Sequence, residues 1–240
     1  MKILNAGNRI MNTYVYQAPI GLVMIDTGYT NSLKKVEKKL ASYGISISEI
    51  AYVFLTHAHD DHAGFLNELL TKHPNIKAIV NPASIPVLKK GQNRFKGGCG
   101  SLLAYWFCKA MSLVGIGEHR FPSIEEINLN RLVHITSENK EQLENELGGK
   151  ILFTPGHTND SISLKVGTYV FCGDAAMNGF PSINRITIWV ENTLEFQKSW
   201  ELLIAENVET LLPAHGSPFP IRDLERNLHK VTKIKLRKPI

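Results

Sequence analysis

A chain of 240 residues, 43% of them hydrophobic, is long enough for one large α/β domain with a sizeable core. Its three cysteines, Cys99, Cys108 and Cys172, form no C-x-x-C pair and leave an odd count, which argues against a disulfide framework or a cysteine zinc site and favours a reducing, cytoplasmic setting. No apolar run reaches membrane-helix length, and Gly7, Asn8 and Arg9 break up the region where a signal peptide needs an apolar stretch.

Taken in chain order, Asn12–Gln17 and Gly21–Ile25 read as strands, the second ending on Asp26-Thr27-Gly28. Alone, Asp26 fits an Asx turn as well as a functional role. From Ser32 to Tyr43 the apolar residues Leu33, Val36, Leu40 and Tyr43 recur at helical spacing, Gly44 ends the pattern, and Lys34, Lys35, Lys38 and Lys39 form a solvated face.

Next comes a buried-strand run, Ala51–Leu55, leading into Thr56-His57-Ala58-His59-Asp60-Asp61-His62-Ala63-Gly64. In extended backbone, residues two apart point the same way, so His57 and His59 can face one ion. Asp61 and His62 sit where the chain turns into a helix over 65–70 and can face a second. The plain alternative is a polar loop with Asp60 or Asp61 capping that helix. Scattering the chain's own histidines and aspartates at random gives H-x-H-x-D-H on the order of a few times in ten thousand, so metal binding is the better reading.

Lys77–Val80 reads as another strand. From 83 to 122 the alternation fails: a glycine-rich stretch, Gly97-Gly98-Cys99-Gly100, precedes the apolar Ser101–Val114, too short and interrupted to cross a bilayer. The simplest expectation is a helical insert packed on the core; a sharper one is a lid, hinged at its glycines, whose aromatics wall an apolar substrate pocket. Ser137–Leu147 is a polar helical segment. Three further strand-like runs each end on one His or Asp beside a glycine: Ile151–Phe153 before Gly156-His157, Tyr169–Cys172 before Gly173-Asp174, and Leu211-Leu212 before His215-Gly216. Four such endings look like one site built from the ends of four strands.

Leu194–Ala205 reads as a helix on the sheet. The tail, 222–240, holds seven Lys or Arg against Asp223 and Glu225; its +5 equals the whole chain's +5, so residues 1–221 are neutral. The basic character belongs to a C-terminal surface helix rather than to the site, and with little aromatic interleaving it gives only weak support to a nucleic-acid contact. With no linker rich in Pro, Gly or Ser, a single domain over 1–240 is expected.

In order, Ile25-Asp26-Thr27-Gly28, the His57 cluster, His157, Asp174 and His215 resemble the motifs of the metallo-β-lactamase-fold hydrolase superfamily, from about residue 12 to 218. The resemblance implies an αββα sandwich of two mixed β-sheets flanked by helices. It implies that His57, His59 and His157 hold one metal, that Asp61, His62 and His215 hold another, that Asp174 bridges them, and that Asp26 braces the histidine loop from behind. The cofactors expected are two divalent ions, zinc first, with iron or manganese accepted by the same donors.

Such a pair would share a water, lower its pKa to about 7 and deliver hydroxide to a carbonyl or phosphoryl centre, with Asp61 orienting the hydroxide and carrying its proton. Asp174 resembles the glyoxalase II-like and lactonase-like branches, so hydrolysis of an ester, thioester or lactone comes first. A phosphodiesterase of the RNA-processing type comes second and a mononuclear-iron persulfide dioxygenase third. The partner expected is a small-molecule substrate, with no membrane and with a homodimer left open. Tyr105, His119 and Asn178 are the candidates for a leaving-group proton donor.

Overall fold

Short runs of β-branched and aromatic residues, separated by Gly, Asn and Pro, produce many short strands, and the segments with 3.6-residue apolar spacing produce the helices between them. The computed structural model describes residues 2–93, 96–113 and 119–239. The chain opens with β1 (Ile3–Asn5), β2 (Tyr14–Ala18), β3 (Gly21–Ile25), α1 (Leu33–Ala41), β4 (Ile50–Phe54), α2 (Leu66–Lys72), β5 (Lys77–Val80) and α3 (Ile85–Lys90). It continues through β6 (Gly98–Cys99), α4 (Leu102–Leu113), α5 (Glu126–Leu129), β7 (Leu132–His134), α6 (Lys140–Leu147) and β8 (Lys150–Phe153). Last come β9 (Ile162–Val166), β10 (Tyr169–Gly173), β11 (Trp189–Val190), α7 (Thr193–Ala205), β12 (Thr210–Pro213), β13 (Phe219–Pro220) and α8 (Arg222–Val231).

These elements form two units, one from Met1–Asn93 with His119–Lys150 and one from Arg94–Glu118 with Ile151–Ile240. The first contains a six-stranded mixed sheet in the order β1-β2-β3-β4-β5-β7, antiparallel from β1 to β3 and parallel from β3 onward. Leu33, Val36 and Leu40 of α1 and Leu66, Leu69 and Leu70 of α2 join Val15, Met24, Val53, Ala78 and Val80 of the sheet in one buried cluster. Each Leu, Val or Met side chain among them contributes roughly 2 kcal/mol by leaving water. The four lysines of α1 are exposed, as its spacing requires.

The second unit contains a five-stranded sheet in the order β13-β12-β10-β9-β8, with β10 and β12 parallel and β9 antiparallel to β10. Phe196, Trp200 and Leu203 of α7 and Leu224 and Val231 of α8 bury against Val170 and Leu211. A separate two-stranded ribbon joins β6 to β11. The architecture is mixed α/β, with a mixed sheet in each unit.

Two segments differ from their sequence reading. The C-terminal helix stops at Val231 rather than running toward 240, and beyond it Arg237 pairs by backbone with Cys99. The helix α4 is not a buried insert: only Ala104 is buried, while Trp106 is 57% and Leu113 is 81% exposed. Arg94, Phe95 and 114–118, part of the expected lid, lie outside the described residues.

Candidate metal centre

In the first unit the site begins with strand register. Parallel pairing sets Ile25 opposite Phe54, so the next residues, Asp26 and then Leu55-Thr56, leave the sheet at the same edge. Asp26 has φ +56°, a left-handed conformation that a short polar side chain tolerates. Its Oδ1 accepts the Thr56 N–H at 2.7 Å; its Oδ2 accepts the Thr56 hydroxyl at 2.8 Å and lies 2.8 Å from His62 Nδ1. The N–H and hydroxyl of Thr27 both donate to the His62 carbonyl, at 2.8 and 2.7 Å. One carboxylate and one threonine thus fix both ends of the His57–His62 loop.

The imidazoles are buried and close. Ring centroids of His57 and His62 are 3.9 Å apart, and those of His57 and His59 are 4.5 Å apart. His57 Nε2 lies 3.0 Å from His59 Nδ1, so this pair can share a proton or direct two lone pairs at one ion. With Nδ1 of His62 on Asp26, its Nε2 lies 3.7 Å from Asp61 Oδ1. The donors of the first unit therefore fall into two pairs, His57 with His59 and Asp61 with His62.

Gly64 closes this loop where no side chain fits. A Cβ there would lie 2.3 Å from the Asp60 carbonyl oxygen, 2.4 Å from Thr30 N and 2.5 Å from the Gly28 carbonyl oxygen. Because all three are backbone, Gly64→Ala is expected to destabilise the chain by about 3 kcal/mol or more, read as a lower midpoint in denaturant with unchanged slope.

Parallel register again delivers donors together in the second unit. Gly173 pairs with Pro213 after a bulge, and Ala214 N donates to Gly173 O at 3.0 Å, so Asp174 and His215 emerge side by side. Asp174 Oδ1 lies 3.7 Å from His215 Nε2 and its Oδ2 lies 3.6 Å from His157 Nε2. The Nδ1 of His157 is 2.7 Å from the Trp189 carbonyl oxygen, which fixes the tautomer and turns Nε2 toward Asp174.

Distances of 3.6 and 3.7 Å are too long for hydrogen bonds. Donors about 2.0–2.2 Å from a common ion lie roughly 3–3.6 Å apart, so these separations suit ligands of a shared ion within a few tenths of an ångström. Buried carboxylates among imidazoles need a cation or a full set of hydrogen bonds, and the donor types suit a divalent ion.

The helix α7 holds both loops of this unit. Ser199 donates to the Pro155 carbonyl at 2.6 Å and Trp200 Nε1 to the Ala175 carbonyl at 2.7 Å. Gly156, at φ +131°, lets the His157 turn lie against Phe196, whose backbone would be 2.3 Å from an added Cβ. Asn178 N donates to the His215 carbonyl at 3.0 Å.

Thr56, Trp189, Ser199 and Trp200 were not anticipated as supports. Thr56 is the only one of these with a local signal, its place directly before His57. The capping alternative fails, since α2 has Phe65 at its N-cap with no side-chain bond. Asp60 instead lies 2.9 Å from His119 Nδ1. Of the proton-donor candidates, Tyr105 stacks against Trp106, and Asn178 accepts from Arg185 and donates to the Ser217 carbonyl.

Paired imidazole and carboxylate donors, delivered by the ends of strands, define a metal-binding α/β protein. The profile of the metallo-β-lactamase superfamily matches residues 6–215, and the chain belongs to that family. It is 28% identical over 174 residues to the metallo-β-lactamase fold-containing protein ST1585 of Sulfurisphaera tokodaii, covering 70% of this chain and 57% of the relative. It is 25% identical over 223 residues to the β-lactamase-like protein 2 homolog of Drosophila melanogaster, covering 89% of this chain and 62% of that protein. The chain thus spans about three-fifths of the length of these curated relatives.

Among solved structures, ST1585 superposes with a TM-score of 0.65 at 22% identity, covering 100% of this chain and 90% of its own. TTHA1623, solved in a di-iron-bound form, superposes with a TM-score of 0.62 at 20% identity, covering 94% of this chain and 98% of its own. These likenesses are of fold.

Proposed function

We propose that the chain is a dinuclear metal-dependent hydrolase of ester, thioester or lactone carbonyls, acting on a small molecule in the cytoplasm, with residues 1–240 working as one catalytic domain. The observation that carries this reading is Asp174, whose two oxygens each face a different imidazole. A carboxylate so placed suits a bridge between two ions, with His157 on one side and His215 on the other. The two pairs of the first unit complete the assignment: His57 and His59 go with His157, and Asp61 and His62 with His215. This follows the glyoxalase II-like and lactonase-like branches. Zinc is the first choice of metal; the di-iron form of TTHA1623 supports iron as the alternative.

Two divalent ions held this way would lower the pKa of a shared water to about 7 and polarise the substrate carbonyl. The chain's residues do the rest. Asp61, with two carboxylate oxygens, can hold a metal through one and orient the attacking oxygen and move its proton through the other. Asp26 and the Trp189 carbonyl keep His62 and His157 in the tautomers that leave Nε2 as donor. Phe180, six residues after Asp174, is 76% exposed and stacks edge-to-face on Phe107 of α4 at 5.9 Å. That aromatic pair supports an apolar wall beside the His215 loop and an apolar acyl or leaving group.

With metal restored, the protein is expected to hydrolyse p-nitrophenyl acetate and acyl thioesters and to leave bis-p-nitrophenyl phosphate intact, and a chelator is expected to abolish the activity. Phosphodiester cleavage without esterase activity would transfer the assignment to the phosphodiesterase branch. About one iron per chain with oxygen uptake on a persulfide would replace it with an oxidative one.

A further inference from the structure

Cys99 and Cys108 stand on different elements of the second unit, β6 and α4, which pack together. Backbone bonds hold Cys99 from both sides: its N–H donates to Arg237 O at 2.8 Å, its carbonyl accepts from Arg237 N at 3.2 Å, and it faces Trp189 in the ribbon. Cys99 is buried and Cys108 is half-buried, and neither is in a disulfide. The Cys99 side chain hydrogen-bonds that of Cys108 where α4 packs on β6. That bond and burial push the Cys99 thiol well above its ordinary range, and Cys108, the more exposed of the two, is the one a dissolved oxidant reaches first.

We propose that Cys99 and Cys108 are a redox modification site that forms a reversible intramolecular disulfide with a hydroperoxide as oxidant. Cys108 sulfur, as thiolate, attacks the peroxide; the O–O bond breaks, water leaves after protonation, and Cys108 becomes a sulfenic acid. Cys99 sulfur then attacks Cys108 sulfur; the S–O bond breaks, and the departing hydroxide takes the Cys99 proton to leave as a second water. Two thiols and one peroxide become one disulfide and two waters. A dithiol reductant reverses the reaction by exchange. The third thiol, Cys172, is a built-in control: it is buried, with Sγ against the carbonyls of Gly173 and Ala176. The bond would tie α4, which carries Phe107, to the ribbon through a short loop, and it would stiffen α4 without touching any metal donor.

The test is treatment of the intact chain with stoichiometric hydrogen peroxide, followed by denaturing alkylation and peptide mapping. The expected result is loss of two of the three alkylatable thiols within monomeric chains. A linked peptide pair containing Cys99 and Cys108 should appear, with full recovery after dithiothreitol and cleavage inside α4 by added protease slowed several-fold. Cys99→Ser should stop at the sulfenic acid, trapped by dimedone. Three alkylatable thiols after treatment, cross-links only between chains, or a linkage through Cys172 would overturn the proposal. Mapping of the unsubstituted chain decides the matter even where a variant folds poorly.

Discussion

Asp174→Ala is expected to lose metal and activity together, with bound metal falling from about two ions per chain to one or fewer and kcat/KM for an ester falling by a factor on the order of a thousand or more. The side chain is buried at the end of β10 with an imidazole nitrogen 3.6 Å from one oxygen and another 3.7 Å from the other. Alanine leaves these histidines facing each other across a void and takes away the negative charge that would offset two cations. Asp174→Asn separates charge from shape: it keeps the volume and one acceptor oxygen but carries no charge, so metal content should fall nearly as far as in Asp174→Ala. Elemental analysis beside steady-state kinetics reads both quantities. Retention of two ions in both variants, with activity lost, would remove the bridging role and leave Asp174 a catalytic group of another kind.

Asp26→Ala should be the most destabilising single change in the first unit's loop. It strands three donors that now converge on one carboxylate, the Thr56 N–H, the Thr56 hydroxyl and the His62 ring, each within 2.8 Å. An unsatisfied buried donor costs about 1–3 kcal/mol, and alanine at φ +56° adds about 1 kcal/mol of backbone strain, so with three donors stranded a total of about 4 kcal/mol or more is expected. Since His62 would also lose the partner that fixes its ring, metal affinity should fall by about ten- to a hundredfold even in the fraction that folds. Denaturant unfolding of chelator-treated protein measures the first effect, and metal titration of the folded protein measures the second. Asp26→Asn, which keeps an acceptor for Thr56 but cannot serve both Thr56 and a protonated His62 Nδ1 equally, should lose less stability than affinity. Equal, small losses in both variants would show the loop to be held by Thr27 and Gly64 instead.

The sequence by itself determined the elements whose signals are local. The spacing of Leu33, Val36 and Leu40 places α1 and its lysine face, and the apolar runs that become β3, β4, β8, β10 and β12 place Asp26 and the candidate donors at strand ends, because burial and backbone pairing act on each run in the same way wherever it sits. The His57–His62 spacing names its own chemistry, since few other uses bring three imidazoles and two carboxylates into six residues. Tertiary structure decided what depends on partners distant in sequence. Whether Asp26 is a turn residue or the anchor of the histidine loop rests on the register of β3 against β4, thirty residues apart. The carbonyl that orients His157 belongs to Trp189, and any residue could have supplied it, so no side-chain signal exists. Ser199 and Trp200 read as ordinary helix positions until α7 lies across the two loops they hold. The apolar composition of α4 suggested burial, yet only Ala104 is fully buried and Leu102, Leu103, Trp106 and Leu113 are exposed, because hydrophobicity sets the tendency to be covered while only the packing of neighbours decides whether a face is.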